Sequence, residues 1–169
     1  MIVFHGSNIA IEHIDLDLCK PYKDFGKGFY TTELERQAVN MAKRTVKQFG
    51  GKPYVTQFTV DDAEFQNCVL IKKIFTAPTN EWALFVINNR NRNYDDIAGA
   101  NCNLDNKYDI VIGPVANDDL RFLFDLFEDK ILTINELSKR LEYKKLTSQI
   151  SFHSVKAVRL LNKIEAYQL

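Results

Sequence analysis

The amino-acid sequence predicts an α+β fold of mainly antiparallel sheets flanked by helices. Strand and helix patterns are interspersed along its 169 residues, but the strand patterns are short and often alternate between apolar and polar residues. The helix patterns between them do not recur as the regular crossovers of a doubly wound parallel sheet. These observations together favour antiparallel pairing over a parallel α/β arrangement.

Six segments have the composition and length of strands, and turn-forming residues bound several of them. Gly6-Ser7-Asn8 interrupts the first, and Gly113-Pro114 closes the fourth. In the second, Tyr54, Thr56 and Phe58 alternate with more polar positions, as expected for a half-buried strand. The predicted strands cover residues 2–5, 54–60, 68–75, 108–112, 149–152 and 164–169.

Five helices are predicted, each with a polar residue that can cap its N-terminus. The first carries an apolar stripe and stops at Gly50-Gly51. Two capping residues are followed by glutamate at capping-box spacing, at Glu35 and Glu136. The predicted capping residues are Thr32, Thr79, Asn117 or Asp118, Thr133 and Ser154.

The composition indicates one soluble domain spanning residues 1–169. Lys plus Arg and Asp plus Glu both number 22, so no global charge favours nucleic acid or an anionic membrane. The N-terminus lacks signal-peptide features and no apolar run approaches membrane-spanning length, so we expect a cytoplasmic protein. Neither a disulfide framework nor a metal site is predicted by the separated cysteines and histidines, which are Cys19, Cys68, Cys102, His5, His13 and His153.

Five motifs follow one another in an order that is specific as a set, although each is weak alone. They are His5-Gly6-Ser7, the run from Asp24 to Thr32, Glu81-Trp82 with Asn89-Arg90, the run from Tyr108 to Asp118, and Gln149-Ile150-Ser151-Phe152. The set resembles a bacterial family of uncharacterised domains placed in the ADP-ribosyltransferase superfamily. Within that superfamily it is similar to the diphtheria-toxin and poly-ADP-ribose polymerase branch, whose motif is a His, a Tyr and usually a Glu on three strands. The resemblance implies an ADP-ribosyltransferase-like fold with split β-sheets.

The resemblance also implies NAD⁺ as co-substrate, no metal, and catalytic roles for His5, Tyr30 and Gln149. His5 would bond the adenine-side ribose, the backbone of Gly6 would bond the nicotinamide amide, and Tyr30 would stack on the nicotinamide ring. We therefore expect His5, Gly6 and Tyr30 to converge on one cleft, and His5 and Tyr30 on opposite faces would contradict this. The implied NAD-binding residues are His5, Gly6, Ser7, Phe25, Gly26, Lys27, Gly28, Phe29, Tyr30 and Thr31.

Residues 20–29 would form a donor loop over the dinucleotide. In this interpretation Lys27 is available to the phosphates, and Ser7 or Thr31 adds a hydroxyl contact. Gly26 and Gly28 allow the hypothesis that loop movement gates NAD⁺ entry. The two glycines are not a Rossmann fingerprint, because the third glycine and the following βαβ unit are missing.

The remaining motif residues have structural as well as functional interpretations. Glu81-Trp82 favours a capped helix with a core aromatic over a catalytic pair, and Asn117-Asp118 favours a helix start over a substrate contact. Asn89, Arg90 and Arg92 fit either a phosphate or acceptor contact or a solvated polar turn. A histidine at a strand end and a tyrosine after glycine are each ordinarily structural, but their pairing in this context favours an NAD site.

Gln149 occupies the position at which related proteins usually have glutamate. Its amide oxygen accepts a hydrogen bond, but the side chain is uncharged and cannot act as a general base. Long-chain polymerisation is therefore not expected, whereas single transfer, hydrolysis and binding without turnover remain open. In the structural alternative, Gln149 simply pairs within a sheet and Phe152 fills the core.

The leading hypothesis is a mono-ADP-ribosyltransferase that releases nicotinamide from NAD, and the resemblance implies a bacterial effector or a toxin with an antitoxin partner. The alternatives are an NAD glycohydrolase and a catalytically silent module that binds NAD, ADP-ribose or a partner protein. We expect a protein acceptor, because the zero net charge disfavours a nucleic acid acceptor. Arg90, Arg92, Lys144 and Lys145 could still assemble a local basic patch for nucleic acid.

Overall fold

Two β-sheets organise the computed structural model, which describes residues 1–67, 69–116, 118–141 and 146–169. The strands of the first sheet are β1 (Ile2–Ser7), β3 (Tyr54–Thr59) and β7 (Asn162–Gln168). This sheet has the order β1-β3-β7 and is antiparallel throughout. The central strand β3 pairs residue by residue with β1, from Ile2 opposite Thr59 to Ser7 opposite Tyr54.

The strands of the second sheet are β2 (Phe29–Thr31), β4 (Lys72–Ile74), β5 (Ile110–Pro114) and β6 (Ser148–Phe152). This sheet has the order β2-β6-β5-β4 and is antiparallel except for the edge pair β4–β5. Tyr30 lies opposite Ser151, and Gln149 lies opposite Gly113. The α+β class with mostly antiparallel sheets flanked by helices is therefore confirmed.

Six α-helices and one short 3-10 turn occupy the described residues outside the sheets. The helices are α1 (Glu35–Phe49), α2 (Asp62–Asn67), α3 (Asn80–Arg90), α4 (Asp118–Glu128), α5 (Ile134–Leu141) and α6 (Val155–Val158), and the 3-10 turn is Leu16–Leu18. Helix α1 packs on β1, and helices α3, α4 and α5 cover one face of the second sheet. Among the described residues, no helix has the length and hydropathy needed to cross a membrane.

Among the described residues, one backbone bridge joins the two sheets, which also share one apolar core. Phe4 and Thr32 exchange both backbone hydrogen bonds, at 2.8 and 3.0 Å, and thereby join β1 to the end of β2. Beyond this bridge the strands part. The core between the sheets contains Val3, Phe29, Phe58, Ile110, Ile150 and Phe152, whereas a second core under α3, α4 and α5 contains Phe25, Phe75, Trp82, Phe85, Val111 and Leu137.

Most predicted elements are present, with shifted ends. Strand β1 runs through Gly6 to Ser7, because pairing with β3 continues across the glycine. Strand β5 likewise includes Gly113-Pro114, which pair with β6 rather than ending the strand. The strand predicted for 68–75 is reduced to Lys72–Ile74, and the start of that prediction, Cys68, lies outside the described residues.

Three of the five predicted caps are confirmed by side-chain hydrogen bonds, those of Thr79, Thr133 and Ser154. The capping box at Thr133 is complete, because Glu136 accepts bonds from its backbone amide and hydroxyl. The prediction for Thr32 is wrong: α1 begins later, at Glu35, because the backbone of Thr32 is used in the bridge to Phe4. Helix α4 begins at Asp118, and the alternative cap Asn117 lies outside the described residues.

Candidate functional site

The imidazole of His5 projects from β1 into the space between the sheets. Its ring stacks on Phe29 with centroids 4.3 Å apart, and Nδ1 lies 2.7 Å from the carbonyl oxygen of Tyr30. A carbonyl only accepts, so Nδ1 carries the proton and donates it. Burial lowers the pKa of His5, partly offset by the bond to Tyr30, so the ring is neutral at pH 7. The arrangement leaves Nε2 as a hydrogen-bond acceptor.

Close packing between β1 and α1 by itself requires a glycine at position 6. A Cβ on Gly6 would lie 1.9 Å from the carbonyl oxygen of Ala38 and 2.8 Å from the amide nitrogen of Ala42. The missing side chain therefore lets β1 contact α1 closely. A glycine at this position would be needed even in a protein that bound nothing.

The backbone of Gly6 points towards β2 at the place where the two strands part. Backbone polar groups alternate in direction along a strand, and those of Phe4 bond Thr32 on the β2 side. The N–H and C=O of Gly6, two residues further along, therefore face the same side. Among the described residues no hydrogen bond takes them up, because Tyr30, which lies across the gap, gives its carbonyl to His5.

The phenol of Tyr30 is anchored in the loop that precedes it. Its hydroxyl accepts a bond from the amide of Phe25 at 3.0 Å and donates to the carbonyl of Gly26 at 2.8 Å. Burial, and then the negative charge of Asp24, raises the pKa of Tyr30 well above its ordinary value. The hydroxyl is therefore protonated and acts as a brace for the loop.

The expected convergence of the His5 and Tyr30 side chains on one cleft is not what the structure shows. The ring of His5 lies with Phe29 in the core between the sheets, while Tyr30 packs beside Phe25 in the other core. Neighbouring residues of a strand project to opposite faces, so β2 separates the two rings. His5 contacts Tyr30 only through the carbonyl group.

The segment from Asp24 to Gly28 is fixed at several points, which argues against it as a freely moving gate. Phe25 is completely buried and fills the core, so it is placed for packing rather than for ligand contact. Gly26 has a φ of 90° and packs against Asn103. The carbonyl of Lys27 accepts a 2.8 Å bond from His153, and Gly28 packs against the same ring.

The other implied NAD-binding residues occupy three different environments. Phe29 and Thr31 are buried, and the Thr31 hydroxyl donates to the carbonyl of Ile150. Ser7 is half-buried at the end of β1. The amine of Lys27 lies 3.7 Å from the exposed carboxylate of Asp17, at the surface.

Gln149 does not merely pair within its sheet. Its side-chain nitrogen donates a 3.0 Å hydrogen bond to Asp24 Oδ2, which also accepts from the amide of Ala116. The other oxygen, Oδ1, accepts from Arg90 at 2.6 and 3.0 Å. Asp24 therefore receives four hydrogen bonds and links the loop to β6.

The sequence interpretation did not identify Asp24 as a site residue, although it begins one of the five motifs. The interpretation of Asn89 and Arg90 as ligand contacts or as a solvated turn is also wrong. Asn89 is completely buried and bonds the carbonyls of Phe85 and Asp24 and the amide of Asn103. Only the folded structure reveals that residues 66 positions apart form an ion pair.

The neighbouring motif residues are structural where the structure describes them. Trp82 is completely buried and Glu81 forms an ion pair with Lys73, as the capped-helix interpretation predicts. Arg92 lies over the ring of Tyr22. Lys144 and Lys145 lie outside the described residues.

His153 is a further buried polar residue that the sequence interpretation missed. Its Nδ1 donates to Lys27, and its Nε2 lies 2.8 Å from the hydroxyl of Ser151. Burial lowers the pKa of His153 to about 4, so the ring is neutral and ties β6 to the loop.

Among the described residues, neither the two cavities nor any metal-binding group marks the candidate functional site. Among the described residues no group of three or more His, Cys, Asp or Glu side chains is placed to hold a metal ion. A cavity of about 390 Å³ lies between Leu70 and Leu160, and one of about 250 Å³ lies between Leu16 and Val158. None of the candidate residues lines either of these two cavities.

The comparisons with known proteins give a family but no activity. No curated protein and no solved structure matches the chain. One family model, described as "Protein of unknown function (DUF3990)", matches residues 1–162. That match includes His5, Tyr30, Gln149 and Asp24. The chain therefore belongs to the DUF3990 family.

Proposed function

We propose that the protein is an NAD-dependent ADP-ribosyltransferase that binds NAD where β1 and β2 part. The reaction breaks the bond between nicotinamide and ribose, and the anomeric carbon of ADP-ribose then bonds to an acceptor. Nicotinamide leaves with the bonding electron pair, and the acceptor loses a proton. No metal is needed for these steps.

The unpaired backbone of Gly6 is the observation that carries the proposal. Its N–H and C=O face the gap beside Tyr30, where among the described residues no strand pairs with them. The carboxamide of nicotinamide presents one acceptor and one donor in the same arrangement. Two backbone bonds would therefore hold the leaving group in a fixed orientation.

His5 supports the proposal through its tautomer. Because Nδ1 donates to the carbonyl of Tyr30, the neutral ring offers Nε2 to a donor such as a ribose hydroxyl. The rings of His5 and Tyr30 lie on opposite sides of β2, so the proposal rests on His5 and the backbone of Gly6 and gives the ring of Tyr30 no contact with nicotinamide.

Gln149 supplies the third contact in this proposal. The side chain lies on the face of the sheet that carries Tyr30, because Tyr30 is opposite Ser151 and Gln149 is two residues from Ser151. With its nitrogen on Asp24, its amide oxygen is the acceptor for a hydroxyl of the nicotinamide ribose. An uncharged residue here favours single transfer over chain elongation.

A protein acceptor is the better proposal, because the suggested basic patch is partly neutralised. Arg90 is paired with Asp24 and also donates to the carbonyl of Ala116, so it is not free to bind phosphate. The role as a bacterial toxin restrained by an antitoxin, and a cytoplasmic location, rest on the resemblance alone.

The test combines binding, cleavage and transfer. Purified protein is titrated with NAD while the amide resonance of Gly6 is followed by NMR, and nicotinamide release and labelling of lysate proteins are measured with radiolabelled NAD. We expect the Gly6 resonance to shift, nicotinamide to be released and a protease-sensitive product to form. His5→Ala lowers all three, whereas His13→Ala, at an exposed histidine, does not.

Each alternative has its own outcome. Release of free ADP-ribose without labelling would indicate a glycohydrolase, and a Gly6 shift without nicotinamide release would indicate a binding module. A protease-resistant, nuclease-sensitive product would replace the protein acceptor with nucleic acid. Absence of NAD binding in the folded wild-type protein would end the proposal.

A further inference from the structure

The geometry points to Asp24 as the positioning residue that orients the Gln149 side-chain amide so that its oxygen faces the ligand. This inference rests on the proposed function, because the ligand in question is NAD. It concerns a residue that touches Gln149, and it assigns Asp24 no contact with the substrate.

The amide of Gln149 and the carboxylate of Asp24 differ in the hydrogen bonds that they can form. An amide has one donor end and one acceptor end, whereas a carboxylate only accepts. Gln149 Nε2 lies 3.0 Å from Asp24 Oδ2, so the amide has one favourable orientation and its opposite end is oxygen. With the amide reversed, two oxygens would face each other at hydrogen-bond distance.

Asp24 is held firmly enough to impose this orientation. Arg90 donates twice to Oδ1, and the amide of Ala116 donates to Oδ2 at 3.0 Å. The side chain of Asp24 is only 13% exposed, so water competes weakly for the carboxylate. Three donors from α3 and the end of β5 thus fix the carboxylate before Gln149 is considered.

The arrangement explains how glutamine serves in this position. A free glutamine side chain would present oxygen and nitrogen to a ribose hydroxyl in turn, and only the oxygen accepts the hydroxyl proton. Asp24 removes the unproductive orientation. Its charge also polarises the amide, so the hydrogen bond from the amide oxygen to the ribose is strengthened as positive charge develops at the anomeric carbon.

Asp24→Asn tests the inference, because asparagine has nearly the same shape but can donate. Its amide nitrogen can bond Gln149 Oε1 and thereby allow the reversed orientation. We expect nicotinamide release to show a kcat lowered by about tenfold, with the KM for NAD changed by less than about threefold. The matched control is Asp17→Asn, because Asp17 lies in the 3-10 turn before the loop and its side chain is almost fully exposed.

A second readout measures the orientation directly, without activity. In wild-type protein labelled with ¹⁵N, we expect the Gln149 side-chain amide protons to be protected from exchange by the bond to Asp24. Asp24→Asn removes that protection. If the variant does not fold, the wild-type protein decides alone, and rapid exchange of both Gln149 protons would overturn the inference.

The two proposals fail in different ways. Wild-type protein that neither binds NAD nor releases nicotinamide removes the proposed function and with it a role for Asp24 in transfer. Wild-type activity accompanied by an unchanged kcat in folded Asp24→Asn overturns the positioning role and leaves the function standing. A raised KM with unchanged kcat would also overturn it, because that result indicates a loop anchor only.

Discussion

The guanidinium of Arg90 donates two hydrogen bonds to Oδ1 of Asp24, from Nη2 at 2.6 Å and from Nε at 3.0 Å. The pair joins the end of α3 to the loop before β2. Both side chains are mostly buried, at 30% and 13% exposure. Removing one partner of such a pair lowers the free energy of unfolding, because the other charge is left buried without compensation.

Arg90→Ala should therefore lower the free energy of unfolding by about 3 kcal/mol. Denaturant unfolding of the purified variant measures the change. Arg92→Ala is the control, because Arg92 is exposed over the ring of Tyr22, and its loss should cost less than about 1 kcal/mol. Equal effects of the two substitutions would contradict the importance of the Asp24–Arg90 pair.

Gln149→Glu should destabilise the protein at neutral pH. The new carboxylate would lie against Asp24, where a nitrogen now donates at 3.0 Å. Two adjacent carboxylates raise the pKa of one of them, so the folded state binds a proton more tightly than the unfolded state. The destabilisation is therefore present at high pH and relieved as the pH falls.

Urea unfolding of Gln149→Glu at pH 7 and pH 5 tests whether the destabilisation decreases as the pH falls. The difference in unfolding free energy from wild type should be smaller at pH 5. Gln66→Glu, on the exposed surface of α2, provides the control. A Gln149→Glu protein as stable as wild type at pH 7, and equally stable at pH 5, would show that the glutamine amide does not depend on Asp24.

His153 should make the protein sensitive to acid. Its pKa is lowered from 6.5 to about 4 in the folded protein, so the unfolded state binds the proton first. The stabilisation is complete above pH 6.5 and is lost as the pH falls towards 4. From the size of the shift, the loss is about 3 kcal/mol.

His153→Asn retains a donor near the position of Nδ1 for the carbonyl of Lys27 but does not titrate. Unfolding free energies measured between pH 7 and pH 4 should fall less steeply in this variant than in wild type. His13→Asn, which changes an exposed histidine, should keep the wild-type slope. Parallel slopes for His153→Asn and wild type would assign the acid sensitivity to other groups.

Tyr30→Phe should loosen the loop between Asp24 and Phe29. The hydroxyl now bonds the amide of Phe25 and the carbonyl of Gly26, and its removal leaves both without that partner. We expect a loss of about 1 to 3 kcal/mol in unfolding free energy and faster hydrogen exchange at the Phe25 amide. Tyr54→Phe, whose hydroxyl bonds exposed Gln168, should change neither by a comparable amount.

The local sequence determined the α+β class and most of the elements. Alternation in 54–60 predicts β3, and the capping residues Thr79, Thr133 and Ser154 mark helix starts, because each depends on neighbours within a few positions. Thr32 failed as a cap for a tertiary reason, since its backbone is used in the bridge to Phe4. The resemblance brought His5, Tyr30 and Gln149 to attention, and they lie on neighbouring strands, but the family match by itself assigns them no activity.

Only the tertiary structure decided which groups meet. The bond between Gln149 and Asp24 joins residues 125 positions apart, and no local pattern encodes a partner at that distance. The same holds for the faces of β2: periodicity predicts that Phe29 and Tyr30 diverge, but only the packing of β1 shows that His5 lies with Phe29. Gly6 shows both contributions. The sequence shows that a glycine interrupts the apolar run, and only the close contact with Ala38 gives the steric reason for that glycine.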